Sequence, residues 1–259
     1  YNAIQTYKLK SWDNYTDELL ENIKIQNDKN NSIKEIFYCV TDTSTYEKNT
    51  GIQRVVRQLG KELLNNQIKL VPIKWSSKNK DFIPISNNEK KHLSKWNGPN
   101  IANWGNGTLN EVDADSQKWI LIPEVMNYFS NEEWKYFFEK IKQYNFKSAC
   151  IFYDAIPWKL NKFYDDEISK MHANYMQNIS LFDKIYCISN TVRNDLLNFL
   201  YSFNIRTPDI LNRVITIELA ADFEGRPRSI KNFGKNKDQI FKILCVGTVE
   251  PRKNHINLI

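Results

Sequence analysis

The chain is short of the residues that mark several protein classes. Its 259 residues hold four cysteines and three histidines. Cys39, Cys150, Cys187 and Cys245 each lie in an apolar, strand-like run (FYCV, ACIFY, IYCIS, ILCVG), and none has a CxxC or Cys/His spacing. That pattern argues against a zinc site, and buried free thiols in a reducing compartment are the simpler account. His92, His172 and His255 accompany no Ser or Cys nucleophile in a recognisable arrangement, so a hydrolase triad has no support. No apolar run is long enough to cross a bilayer, and nothing reads as a secretory leader. The first residue is Tyr1 rather than Met, so a cut or processed N-terminus is expected. The default expectation is a soluble cytoplasmic protein. No internal repeat of short period is visible.

What is present suits a packed domain. Hydrophobic residues make up 41% of the chain and aromatics 13%, which is enough for a core and argues against disorder throughout. The length allows one large domain or two small ones. The formal charge of +6 suits anionic ligands, lipid headgroups or nucleic acid. However, the lysines are scattered among asparagines, and Lys78–Lys80 and Lys90–Lys91 read as solvated loops. No RNA or DNA motif accompanies the charge, so no nucleic-acid partner is expected.

Residues 1–33 read as a polar extension containing a helix around Asp13–Ile25, with Lys29–Ser32 as a linker, and it either packs on the domain or is the tail of something upstream. From Glu35 onward short apolar runs alternate with helical stretches. The runs are Ile36–Val40, Ile68–Trp75, Trp119–Ile122, Ala149–Tyr153, Lys184–Ile188, Val214–Leu219 and Ile243–Val246. Such runs separated by helices predict a parallel sheet covered on both faces. Helical spacing is clearest over Ile52–Leu64, then Asn131–Gln143 and Thr191–Leu200, with Asp165–Gln177 a fourth. Lys78–Ala114 reads as a long loop excursion, of the kind commoner near function than in a core. The polar stretch between Asp222 and Gln239, with Gly225, Pro227 and Gly234, reads as an interdomain linker.

The most informative segment is Val246–Ile259, VGTVEPRKNHINLI. It reads as a strand end, a loop and the first turn of a helix. A strand-to-helix turn with two adjacent cations suits a phosphate group, since helix N–H groups and the macrodipole favour an anion there. Arg252 would fork onto phosphate oxygens, Lys253 would act as a point charge, and Asn254 would cap the helix. The plain alternative is a surface turn with two solvated cations.

VGTVEPRKN, preceded by IYCISNTVRNDL, IFYDAIP and TGIQRVVRQL, resembles the retaining nucleotide-sugar glycosyltransferases of family 4. The likeness covers roughly residues 35–259. It implies the GT-B architecture, in which two Rossmann-like halves face each other across a cleft. On that reading 34–222 form the N-terminal, acceptor-side Rossmann-like domain and 223–241 a linker. Residues 242–259 are the first strand and phosphate-binding turn of a donor-side domain whose remainder, paired glutamates included, lies beyond Ile259. The fold class expected is therefore α/β, a Rossmann-like parallel sheet with helices on both faces, with the C-terminal half truncated.

The resemblance also assigns roles. Arg252 and Lys253 match the pair that binds the sugar nucleotide's diphosphate, and Glu250 belongs to the same element. Many relatives have Arg where Thr248 stands, so Arg252 would carry that charge here. Gly51 matches the glycine after the first strand, where a backbone without Cβ approaches a ligand, or where a turn alone needs it. Arg54 would face acceptor or phosphate, against the plain reading of an exposed helical arginine. Tyr153 replaces a histidine that approaches the donor sugar, and its hydroxyl is the expected substitute contact. Asp154 is the expected catalytic or hydroxyl-binding carboxylate, or else a turn carboxylate. Ser189 contacts ligand or only ends its strand. No metal or other cofactor is expected. Asp113-Ala114-Asp115 has the spacing of a metal-holding diad but follows no apolar strand. Trp158, Lys159, Lys162, Phe163 and Tyr164 pack on the domain or touch a membrane bearing a lipid-linked acceptor.

The expected activity is transfer of a hexose from a nucleoside-diphosphate sugar to a glycan or lipid-linked acceptor, in bacterial surface polysaccharide or glycoconjugate synthesis. These 259 residues alone are expected to be inactive. The alternatives are a non-catalytic GT-B scaffold or regulatory module, another GT-B enzyme such as a phosphorylase or sugar-nucleotide epimerase, and a basic surface-binding protein.

Overall fold

The computed structural model describes residues 10–24, 35–105, 109, 118–221 and 244–258. The expected linkers at Lys29–Ser32 and 223–241, the start of the last expected strand at Ile243, and Asp113-Ala114-Asp115 lie outside the described residues.

Six of the seven apolar runs, all but Ile243–Val246, become strands, and β3 forms outside them: β1 (Glu35–Cys39), β2 (Lys69–Ser76), β3 (Asp81–Pro84), β4 (Lys118–Ile122), β5 (Phe146–Phe152), β6 (Lys184–Cys187) and β7 (Val214–Thr216). They form one seven-stranded sheet in the order β3-β2-β1-β4-β5-β6-β7. All neighbours are parallel except β2 and β3, which are antiparallel. The helices are α1 (Trp12–Lys24), α2 (Thr41–Thr45), α3 (Gly51–Asn65), α4 (Asn87–Ser94), α5 (Asn131–Gln143), α6 (Ile156–Lys159), α7 (Asp166–Ile179), α8 (Asn190–Ser202) and α9 (Ile210–Arg213).

Side-chain alternation along each strand sorts the core into two layers. Phe37, Ile120, Ile122, Cys150, Phe152 and Ile185 pack with α5, α7 and α8 through Trp134, Phe137, Tyr175, Met176, Leu196 and Phe199. Ile36, Tyr38, Trp119, Leu121, Ala149, Ile151 and Tyr186 pack with α1 and α3 through Tyr15, Leu19, Ile23, Val56, Leu59 and Leu63. The sheet is thus buried on both faces, as its near-continuous apolar strands require. The architecture is Rossmann-like α/β.

Lys78–Ala114 is not one loop, since it contains β3 and α4. β3 is a four-residue edge strand, too short to show alternation. α4 starts at a reciprocal cap: Glu89 N–H donates to Ser86 Oγ at 3.3 Å, and Ser86 N–H donates to Glu89 Oε2 at 2.7 Å. Residues 10–24 carry the expected helix as α1, and it packs on the domain, one of the two alternatives open to it. Tyr15, Leu19 and Ile23 of α1 are fully buried, and Ala221 N–H donates to Lys10 O at 3.1 Å.

Candidate functional site

The chain leaves β1 toward β2, and it leaves β4 toward β5. The order of strands therefore reverses between β1 and β4. In open α/β sheets, ligands sit outside the carboxyl ends of the strands at such a point. The segments that meet there are Val40–Gly51 after β1, Pro123–Tyr128 after β4, Tyr153–Ala155 after β5 and Ser189 after β6.

α3 opens toward this edge. Thr50 is its N-cap, and Thr50 N–H donates to Gln53 Oε1 at 3.0 Å. Gly51 is the first helical residue and is exposed, and a Cβ built on it would meet nothing within 4 Å. Arg54 is exposed on the same turn. The glycine is thus not demanded by packing, and the space over it is open.

Beneath α3 the loop after β1 is held tightly. Arg57 is 1% exposed, and its guanidinium donates to the carbonyls of Lys48 at 2.8 Å and His92 at 3.0 Å, and to Asn49 Oδ1 at 3.2 Å. His92 Nδ1–H donates to Ser44 O at 2.7 Å. Burial lowers the Arg57 pKa.

Glu124, two residues past β4, is the site residue that the sequence reading missed. It is 3% exposed and receives the N–H groups of Asp42 at 2.8 Å and Thr43 at 2.6 Å. Burial pushes its carboxyl up to about 7, against the opposing pull of those N–H bonds. The signal was available: a carboxylate immediately after WILIP stands at a strand's carboxyl end, as Asp154 does after IFY.

The expected residues fall as follows. Tyr153 is 7% exposed, and its hydroxyl donates to Pro123 O at 2.7 Å, so it turns into the protein rather than toward a sugar. Strand parity is the reason: Tyr153 continues the face of Ala149 and Ile151, which packs with α1 and α3. Asp154 is half-buried at the crevice, and its Oδ1 accepts Ile156 N–H at 2.9 Å, closing a turn. Its carbonyl accepts Nε2–H of buried His172 at 3.0 Å, and burial lowers the His172 pKa. Ser189 caps α8 by accepting Val192 N–H at 3.2 Å. Trp158 packs edge-on against Phe199 at 5.0 Å, while Phe163 is 40% exposed.

The Pro251–Lys253 turn is a 3-10 helix ending at Asn254 with φ 54°. Arg252 Nε lies 2.6 Å from Glu250 Oε2, and Thr248 and Lys253 are exposed. Leu244–Val246 form no strand. Leu244, Val246, Val249 and Ile256 are all more than four-fifths exposed, so these four apolar side chains do not join the described core. The topology therefore places Gly51, Arg54 and Asp154 on the carboxyl side of the sheet, while Arg252 pairs with Glu250 of its own turn.

Among the described residues no three His, Cys, Asp or Glu side chains are grouped to hold a metal ion, and no helix is long and apolar enough to cross a membrane. No family model, curated protein or solved structure matches the chain, which leaves its own residues and topology to carry the functional argument.

Proposed function

We propose that these residues form the acceptor-facing half of a retaining GT-B glycosyltransferase of family 4. The whole enzyme would move a hexose from a nucleoside-diphosphate sugar to a glycan or lipid-linked acceptor in bacterial surface polysaccharide or glycoconjugate synthesis. The observation that carries this reading is the position of TGIQRVVRQL. Its Gly51 opens α3 at the carboxyl end of β1, beside the reversal of strand order, with open space above it. Backbone N–H groups and Arg54 there suit acceptor oxygens or a phosphate.

The donor diphosphate leaves toward Arg252 and Lys253. Arg252, partly buried beside Glu250, would exchange that carboxylate for phosphate oxygens. Cations fixed where charge develops lower the barrier, and the reading needs no metal for that purpose. Asp154 binds an acceptor or donor hydroxyl through the carboxylate edge left by its turn. Tyr153 acts through its packing and its hydrogen bond to Pro123 O, away from the sugar.

Gly51→Trp in the longest natural chain carrying these residues tests the reading. A Cβ at this position would meet nothing within 4 Å, so the new side chain starts in open space, and a urea-unfolding curve of the variant checks that the fold is kept. The expected result is a fall in acceptor kcat/KM of at least about tenfold, equivalent to about 1.4 kcal/mol, with donor affinity unchanged. Unaltered transfer would contradict the placement of the acceptor. Residues 1–259 alone are expected to show no transfer, and any turnover by them would contradict the division of labour between the halves.

A further inference from the structure

The proposed chemistry leaves Glu124 unused, yet it is the most buried carboxylate at the crevice. Its two oxygens are spent on the first turn of α2, through the N–H groups of Asp42 and Thr43. α2 is TDTST, a run of weak helix formers, and Val40 at its N-cap offers no side-chain acceptor. Glu124 supplies that cap from the neighbouring strand. The connection continues: Gln53 Nε2–H donates to Asp42 Oδ2 at 2.6 Å, and Gln53 Oε1 accepts Thr50 N–H at 3.0 Å. One run of hydrogen bonds thus joins the end of β4 to the residue before Gly51.

Resting on the acceptor-side reading of α3, we propose that Glu124 is a positioning residue: it caps α2 and, through Asp42 and Gln53, sets the first turn of α3 where Gly51 and Arg54 meet the acceptor. The titratable and charged groups around it are Asp42 on α2, Tyr38 and Cys39 on β1, Arg57 on α3, Tyr128 after β4 and Tyr153 after β5. Arg57 gives its guanidinium to backbone carbonyls and Asn49, so it does not cancel the Glu124 charge by direct contact. Glu124 titrates near neutrality, at about 7, which makes the relay readable by pH.

The test follows backbone amide chemical shifts of this chain across neutral pH, without ligand, so that its failure is separate from failure of the transferase reading. In the wild type, the amides of Asp42, Thr43, Gly51 and Arg54 are expected to titrate with one shared midpoint. Glu124→Gln removes that midpoint from all four. Gln53→Ala leaves it at Asp42 and Thr43 and removes it from Gly51 and Arg54. The proposal is overturned if Gly51 and Arg54 stay flat in the wild type, if they still titrate in Gln53→Ala, or if the midpoint survives Glu124→Gln. Should Glu124→Gln fail to fold, the wild type and Gln53→Ala decide the matter. A purely local cap moves Asp42 and Thr43 alone.

Discussion

Glu124 carries the clearest pH signature in the molecule. Its carboxyl is raised from 4.5 to about 7 in the fold, chiefly by burial. Between those values the native state binds more protons than the unfolded chain. Its contribution to stability is therefore full below 4.5 and is lost as pH rises through about 7. The loss amounts to at most about 3 kcal/mol. Buried His172, with its lowered pKa, acts oppositely, since the stability of its neutral form is lost as pH falls through the ordinary histidine range. The difference between wild type and Glu124→Gln isolates the carboxylate. Urea unfolding on either side of neutrality should show the wild type losing stability with rising pH relative to the variant, and parallel curves would refute the buried-anion account. Tyr153→Phe removes only the bond to Pro123 O. It is expected to cost about 1 kcal/mol of stability and to leave transfer unchanged, whereas a large fall in kcat would restore Tyr153 to the sugar. Sequence named Asp154 by its place after a strand but not Glu124, which obeys the same rule. What it could not show is which carboxylate would be covered by another element. Nor could it show that parity turns the Tyr153 ring inward.

The secondary elements were legible where their periodicity ran long. α5 has the bounds that its apolar spacing indicated, Asn131–Gln143, and its Ser130 and Glu133 form a reciprocal cap. Ser130→Ala should cost about 1 kcal/mol, checked by urea unfolding. Two short elements, α2 and β3, were not legible, although the equally short β1, β4 and β6 were marked by their apolar runs. α2 has no periodic pattern of its own and exists through Glu124, and β3 exists through pairing with β2. The Ser86-x-x-Glu89 cap would have announced α4 within the supposed loop. α1 was legible as a helix, and the structure decides that it packs in the core. Its Leu19 is fully buried against the β1 side of the sheet. Leu19→Ala is expected to cost about 2–5 kcal/mol, whereas a cost near zero would show α1 to be dispensable.

At the scale of the whole molecule, the sheet topology locates the proposed acceptor crevice. Alternating apolar runs and helices implied a parallel sheet, but strand order is not written in any local pattern. The order found places the reversal between β1 and β4, and with it the open start of α3. Arg252 and Lys253 belong to a segment whose Leu244, Val246, Val249 and Ile256 do not join the described core, and their grip on a diphosphate is the central claim. The direct measurement is calorimetric titration of nucleoside diphosphates into the longest natural chain carrying these residues, with wild type, Arg252→Ala/Lys253→Ala and Gly51→Trp compared. The account predicts at least about a tenfold loss of affinity, about 1.4 kcal/mol, for the double variant and none for Gly51→Trp. Equal affinity in the wild type and the double variant would contradict it.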